Sequence, residues 1–119
     1  MAIAVKRKLS GSTDGMPIKV VATATAGTTI HTAVAGTTAG TFDEIWLYAY
    51  NGHTTAVTLT IEFGGATVPD QNIVITLASK SGLNLIVPGL ILQNTLVVKA
   101  FASVANVITI SGYVNSITD

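Results

Sequence analysis

Cysteine is missing from the 119-residue chain, and charged side chains make up only 10% of it. Without thiols the protein can form neither a disulfide framework nor a thiolate metal site, so its stability has to come from burial or from partner subunits. An average soluble protein is roughly 25% charged. Threonine, serine and asparagine must therefore carry most of the solvated surface, since hydrophobic residues make up 49% of the chain.

An excess of charge of either sign is also missing. Six Lys and Arg residues balance six Asp and Glu residues, and the isoelectric point is about 6.7. A protein near zero net charge tends to associate, whereas nucleic-acid binding requires a clustered excess of basic residues. We therefore expect a subunit of an assembly and do not expect nucleic acid as its main partner.

Targeting and membrane-spanning segments are not recognisable. The opening "MAIAVKRKLS" places its charges after a very short apolar run, which is the reverse of a secretory signal. The apolar stretch "LNLIVPGLIL" is too short and too interrupted to span a bilayer. We expect a protein made in the cytoplasm, without a membrane partner.

The common catalytic signatures do not occur either. The patterns GxxxxGK, GxGxxG, HExxH and GxSxG are absent. The turns "GSTDG" and "PDQN" carry carboxylates, but neither has the alternating oxygen ligands and terminal glutamate of a calcium loop. We therefore expect no enzyme activity, no cofactor and no metal.

What the chain does contain is a strand pattern, clearest in "TTAVTLTIEFGG". Val57, Leu59 and Ile61 alternate with polar residues at period two, which is typical of a half-buried strand. The preceding segment "FDEIWLYAY" joins it through Asn51-Gly52, two residues that tolerate the positive φ angles of a type I′ turn. The sequence predicts a β-hairpin here.

Other β-branched segments alternate with turns rich in Gly, Pro and Asn, and no window has a sustained helical period. The predicted strands number about eight, at the spacing of a sandwich or barrel. We predict an all-β fold, an antiparallel β-sandwich or jelly-roll-like barrel, as a single domain over residues 16–119. Residues 1–15 look like a basic N-terminal arm. The additional strand segments are "MPIKVVATATA", "GTTIHTAVAG", "QNIVITL", "LNLIV", "TLVVKAFA" and "NVITISGYV".

Several of these segments are apolar on both faces, as in "LNLIV", "TLVVKAFA" and "NVITI". A two-layer sandwich with one solvated face per sheet does not require a second apolar face. The extra apolar surface predicts subunit contacts, and we expect a homo-oligomer.

The titratable residues give no clear catalytic group. His53 follows the predicted turn and His31 lies among threonines, so we interpret the first as a solvated turn residue and the second as a surface or interface residue. Asp43 and Glu44 are adjacent and would face opposite ways on a strand. Glu62 could meet one of them across the hairpin, although solvated edges are the simpler interpretation.

Trp46, Tyr48 and Tyr50 alternate along one predicted strand and should share a face. Ile45 and Leu47 lie on the opposite face, which makes that face the better candidate for the core. Exposed in a row, the three aromatic rings could stack on sugar rings. Buried, they would belong to the core or to a subunit contact, and we favour this second interpretation.

The one basic cluster is Lys6-Arg7-Lys8. It could neutralise an acidic patch on a partner or touch packaged nucleic acid, although three charges are a small number for nucleic acid. A solvated arm is an equally simple interpretation. Together with Trp46, Tyr48 and Tyr50, these three residues are the predicted partner contacts.

Four stretches resemble small structural proteins encoded in the morphogenesis regions of tailed bacteriophages. The resemblance spans nearly the whole chain and lies in the order of strands and turns rather than in a catalytic motif. The stretches are "LSGSTDGMPIKVVATATAGTTIHTAVAGT", "DEIWLYAYN", "VTLTIEFGG" and "SGLNLIVPGLILQNTLVVKAFASVANVITISGYVNSI".

The resemblance implies a non-enzymatic virion component that is assembled in the host cytoplasm. Within that class the chain looks like a capsid decoration or cement protein, a β-sandwich that bridges capsomers and has the major capsid protein or other virion proteins as partners. Such proteins are often trimers, so the resemblance implies a homo-oligomer with a trimer favoured. A neck or tail component and a glycan-binding β-sandwich module are the alternatives.

Overall fold

The computed structural model describes residues 2–119, which form nine β-strands in two antiparallel sheets. The predicted all-β antiparallel class is confirmed, and the two sheets pack as a β-sandwich. The strands are β1 (Ile3–Lys8), β2 (Ile18–Lys19), β3 (Thr28–Thr32), β4 (Phe42–Asn51), β5 (Val57–Phe63), β6 (Asn72–Leu77), β7 (Asn84–Leu92), β8 (Val97–Ala102) and β9 (Ile108–Thr118).

The larger sheet has five strands and the smaller one has four. In the five-stranded sheet the order is β1-β9-β4-β7, and β2 also pairs with β9. In the four-stranded sheet the order is β3-β8-β5-β6. The free edges are therefore β7 and the β1/β2 side in the larger sheet, and β3 and β6 in the smaller one.

The core lies between the two sheets and follows from the alternation of the strands. On β4, Ile45 and Leu47 point inward and are fully buried, as the sequence predicts. On β5, Leu59 and Ile61 are also fully buried and belong to the same hydrophobic cluster. Because successive side chains of a strand point to opposite faces, β4 and β5 each deliver every second residue to this core.

The predicted hairpin between β4 and β5 is wrong, since the two strands belong to different sheets. Asn51 and Gly52 do not have positive φ angles. The Asn51 side chain is instead buried, and its Nδ2 donates to the carbonyls of Thr55 at 3.0 Å and Leu77 at 2.9 Å. These bonds fix a connection that crosses between sheets, so the local turn preference of Asn-Gly is overridden by tertiary contacts.

The segment predicted as an arm also differs, because most of it belongs to the sandwich. Residues 3–8 form the edge strand β1, paired with β9 from Ile3 opposite Thr118 to Lys8 opposite Tyr113. The next residue, Leu9, is 1% exposed and packs in the core. All six side chains of β1 are exposed, so the strand lacks the alternation by which a half-buried strand is recognised. Met1 lies outside the described residues.

Residues 9–17 leave the sheet between β1 and β2, after which the chain rejoins β9 with Ile18 opposite Ile110. The backbone amide of Gly11 donates to the carbonyl of Ile30 at 3.0 Å, which ties this loop to the smaller sheet. β1 and β2 therefore act as one interrupted edge strand, and the loop between them reaches across to the neighbouring sheet.

Candidate functional site

The predicted aromatic row lies on the outer face of the five-stranded sheet. Trp46 and Tyr48 are half-buried and Tyr50 is 36% exposed, whereas the intervening residues Leu47 and Ala49 are in the core. We call the outward side of this sheet the aromatic face. It also carries Phe42 on β4 and Tyr113 on β9.

Trp46 is held between two neighbours on the aromatic face. Its ring stacks with Tyr113, with centroids 6.3 Å apart and an angle of 15° between the planes. The Lys6 ammonium lies 4.3 Å from the centre of the Tyr113 ring, which is within the range of a cation–π contact. On the other side Trp46 packs over Gly89 of β7, where an added Cβ would be 2.8 Å from its Cζ2 atom. The half-buried indole thus has neighbours on β9 and on β7.

Glu44 orients this indole. Trp46 Nε1 donates to Glu44 Oε1 at 2.8 Å, and Asn115 Nδ2 donates to the same oxygen at 3.0 Å. The bond from Asn115, and then that from Trp46, lowers the pKa of Glu44 below its usual value, because both donors favour the charged carboxylate. Glu44 is half-buried on the outer face of a central strand, and its carboxylate also accepts hydrogen bonds from two side chains, which the sequence interpretation of a solvated edge did not include.

Next to the aromatic face, the free edge strand β7 carries exposed apolar residues. Leu85, Leu90 and Ile91 of this strand and Leu83 just before it are between 42% and 62% exposed. The strand contains Pro88 and is offset against β4 by two register shifts. We call these four apolar side chains the β7 edge.

His31 is buried rather than placed at the surface, which corrects the sequence interpretation. It is 4% exposed, and its Nε2 lies 2.7 Å from Oδ2 of Asp43, which is also 4% exposed. The register of β3 against β8 shifts between Thr29 and His31, so that Ile30 and His31 are both buried. A bulge of this kind breaks the period of two, which is why simple alternation assigns His31 to the wrong side.

The His31–Asp43 pair connects three parts of the fold. Nδ1 of His31 accepts the backbone N–H of Ser10 at 3.0 Å, so Nε2 carries the proton that is donated to Asp43. The Ser10 hydroxyl accepts the backbone N–H of Thr32 at 2.7 Å. Because both ring nitrogens are already engaged, the ring does not hold the Ser10 hydroxyl as a general base holds a nucleophile. The pair joins β3 and β4 to the loop after β1.

The other acidic and histidine residues lie apart from this pair. Glu62 is 2% exposed and accepts hydrogen bonds from the Thr25 hydroxyl at 2.8 Å and the Gly27 amide at 2.7 Å. It belongs to the smaller sheet, so the predicted meeting with Asp43 or Glu44 across a hairpin does not occur, and Glu62 and Asp43 are not solvated. His53 is half-buried in the turn before β5.

The basic cluster does not form one patch. Lys6 lies on the aromatic face, whereas Arg7 lines a cleft on the other side of β1. Lys8 Nζ donates to the backbone carbonyl of Ser12 at 3.1 Å. The alternation of the edge strand separates Lys6 from Arg7, whereas Lys8 lines the same cleft as Arg7, so the three residues do not act as a single basic surface.

Residues 2–119 contain no group of three or more His, Cys, Asp or Glu side chains placed to hold a metal ion. The same part of the chain has no helix of the length and hydropathy needed to cross a membrane.

Comparisons with known proteins return no match: no protein-family model, no curated protein and no solved structure is similar to this chain.

Proposed function

We propose that this protein is a non-enzymatic structural subunit of a tailed-phage virion, and specifically a decoration protein that bridges capsomers on the outside of the head. The sequence resemblance supports the virion class. The near-zero net charge supports association, and the occupied ring nitrogens of His31 support a role without a chemical step.

The observation that carries the proposal is the β7 edge. A free edge strand offers unpaired backbone groups, and soluble proteins usually protect such strands with charge or cover them. Here Leu85, Leu90 and Ile91 leave apolar surface on the edge, beside the aromatic face. Pro88 interrupts the strand, so side-chain packing is better suited to this edge than a continuous ladder with another strand.

The proposed mechanism is multivalent burial. A homo-oligomer, with a trimer favoured, presents several copies of the β7 edge and the aromatic face to the major capsid protein. Each contact needs only modest affinity, because linked contacts on one shell add through their high effective concentration. The shell then resists rupture without any covalent change.

The test is the copy number of the protein in purified particles from its source, measured by quantitative mass spectrometry against the major capsid protein. Near parity would support a decoration protein. A ratio of a few per cent would contradict it and favour the neck or tail alternative. Absence from the particles would overturn the virion class altogether.

The glycan-binding alternative has less support from the geometry. Stacking on a sugar needs an open ring face, and Trp46 packs against Tyr113 and Gly89. If the protein were retained on a polysaccharide column and Trp46→Ala abolished the retention without unfolding, this alternative would replace the virion proposal.

A further inference from the structure

A cleft of about 480 Å³ opens between the edges of the two sheets, where β1 and β3 lie side by side at one margin of the sandwich. Its lining includes Arg7 from β1, His31 from β3, Asp43 from β4 and Ser116 from β9. We call it the edge cleft. Its size falls in the range of about 300 to 1,000 Å³ that small-molecule sites occupy.

One group in the edge cleft is a buried acceptor without a partner. Oδ2 of Asp43 accepts from His31 Nε2 at 2.7 Å and from the backbone N–H of Val34 at 3.2 Å. Oδ1 of the same carboxylate is buried and receives no hydrogen bond. Leaving such an oxygen unpaired costs stability, so a ligand that donates a hydrogen bond to it would gain binding energy.

A second group is a cation without a counterion. Within residues 2–119 no carboxylate contacts the guanidinium of Arg7, since the one contact between a basic and an acidic side chain joins His31 to Asp43. Lys8 also lines the cleft, and His31 is neutral in the tautomer that its hydrogen bonds define. Two cations and one carboxylate leave the cleft with one net positive charge.

We propose that the edge cleft binds a small hydroxylated monoanion, a carboxylate flanked by hydroxyl groups as in a uronic acid. The carboxylate pairs with Arg7, in the bidentate geometry that guanidinium groups favour. A neighbouring hydroxyl donates to Asp43 Oδ1. Ser116 lies directly opposite Asp43 in the β4–β9 register, and its hydroxyl is placed to bond a second hydroxyl of the ligand.

The cleft has two unmet requirements, a counterion for Arg7 and a hydrogen-bond donor for Asp43 Oδ1, and simpler ligands meet only one of them. A plain carboxylate such as acetate pairs with Arg7 but leaves Asp43 Oδ1 unpaired. A neutral sugar donates to Asp43 but leaves the positive charge uncompensated. A ligand that carries both groups meets both requirements, and this difference is measurable.

The other pocket with a buried carboxylate lacks this feature. It has a volume of about 270 Å³ and contains Glu62. Both oxygens of Glu62 already accept hydrogen bonds, from Gly27 and from Thr25. It therefore offers no unpaired acceptor to a ligand. The proposal for the edge cleft is independent of the proposed virion role.

The test is a titration of the full chain with D-glucuronate, followed by amide NMR shifts. We expect saturable shifts at Arg7, His31 and Asp43, and about tenfold weaker binding of glucose and of acetate. Absence of saturable shifts at these residues, or equal affinity for either control ligand, would overturn the proposal. An oligouronate titrated in parallel distinguishes two sources of the ligand. If the oligouronate binds more tightly than glucuronate, the ligand is part of a polysaccharide; if the two bind equally, it is a free sugar acid. Either result supports the cleft.

Two variants on the same strand give a matched control. Arg7→Gln and Lys6→Gln each remove one positive charge, but only Arg7 lines the cleft. We expect Arg7→Gln to weaken glucuronate binding at least tenfold and Lys6→Gln to leave it within about twofold. Equal loss in both variants would mean that binding is non-specific attraction to the basic strand, which would contradict the proposal.

Asp43→Asn tests the acceptor. The amide keeps one oxygen for His31 and places an N–H₂ group at the position of Oδ1, so a ligand hydroxyl can no longer donate there. We expect glucuronate to lose its roughly tenfold advantage over acetate, whose own binding is not weakened because the substitution also removes a negative charge from the cleft. A glucuronate advantage that persists in the folded variant would overturn the assigned role of Asp43. Because Arg7 is exposed, the Arg7→Gln and Lys6→Gln comparison decides the proposal even if Asp43→Asn does not fold.

Discussion

Gly89 is the residue on which the packing of the single tryptophan depends. Its φ angle is +76°, and an added Cβ would be 2.8 Å from the ring of Trp46. We expect Gly89→Ala to lower the free energy of unfolding by about 2 kcal/mol, because the new methyl group both strains the backbone and displaces the indole. Urea unfolding followed by the fluorescence of Trp46 measures this loss.

Gly82 provides the control for this prediction. Its φ angle of +83° is similar, but no atom lies within 4 Å of an added Cβ. We expect Gly82→Ala to cost about 1 kcal/mol, the backbone contribution alone. Equal losses in the two variants would show that Trp46 does not constrain Gly89.

Glu44 gives a prediction about pH. Its pKa is lowered in the folded protein by the hydrogen bonds from Asn115 and Trp46. These bonds therefore stabilise the fold fully at pH values above the ordinary pKa of the side chain, about 4.5. That stabilisation is lost as the pH falls through the lower folded pKa. We expect Glu44→Gln to be less stable than the native protein at pH 7 and to approach it in stability in strong acid. Urea unfolding of both proteins across this range checks the convergence, and a constant difference would contradict it.

At the scale of single elements, β1 and the loop after it stabilise the sandwich. Deleting residues 1–10 removes the buried side chain of Leu9, the backbone amide that Ser10 donates to His31, and the strand β1 that pairs with one edge of β9. We expect a loss of at least 3 kcal/mol, since burying one leucine is itself worth about 2 to 5 kcal/mol. The denaturant midpoint measures it. A deletion that left the midpoint unchanged would restore the interpretation of this segment as an independent arm.

The β7 edge gives a second prediction at this scale. The double substitution Leu90→Lys with Ile91→Lys puts two charges on exposed positions of an edge strand, which opposes association without disturbing the core. We expect the proposed oligomer to dissociate in sedimentation velocity, while the circular dichroism spectrum of the variant remains that of a folded β-protein. Val68→Lys, at another exposed apolar residue, is the control and should leave the oligomer intact. A double variant that sediments like the native protein would exclude the β7 edge as the subunit contact.

The strands also show which parts of the fold could be predicted from the sequence alone. The alternation on β4 and β5 was sufficient to predict both strands and their core-facing residues, because every second residue in the middle of both strands is apolar and core-facing. It could not assign the two strands to different sheets, since the crossing depends on buried bonds from Asn51 to distant carbonyls. The position of His31 also could not be predicted, because a bulge in β3 changes the side on which the ring lies.

In the candidate site, too, the features set by strand period were predictable from the sequence, and the contacts between distant segments were not. The outward position of Trp46 was predictable from strand period, but its contact with Gly89 joins residues far apart in the sequence. The edge cleft was not predictable at all. It brings together residues of β1, β3, β4 and β9, and only the pairing of the strands shows that Arg7 and Asp43 line one space.

For the whole molecule, the near-zero net charge leads to a prediction about salt. If subunits associate through apolar side chains, high salt should not weaken the contact, because added ions screen charges rather than apolar burial. We expect the same oligomer in sedimentation equilibrium at low and at high sodium chloride concentration near pH 7. Dissociation at high salt would show that charged residues such as Lys6 or Lys8 hold the subunits together, which would contradict the role given to the β7 edge.

The position of β9 in the larger sheet has a consequence for synthesis on the ribosome. β9 lies between β1 and β4, but it is the last of the nine strands to be translated and β1 is the first. The nascent chain therefore carries β1 without its partner until the other eight strands have been made, and pairings between such distant segments form slowly. The four-stranded sheet contains no strand later than β8, so its pairings do not depend on β9, whereas the larger sheet is complete only when β9 pairs with β1 and β4.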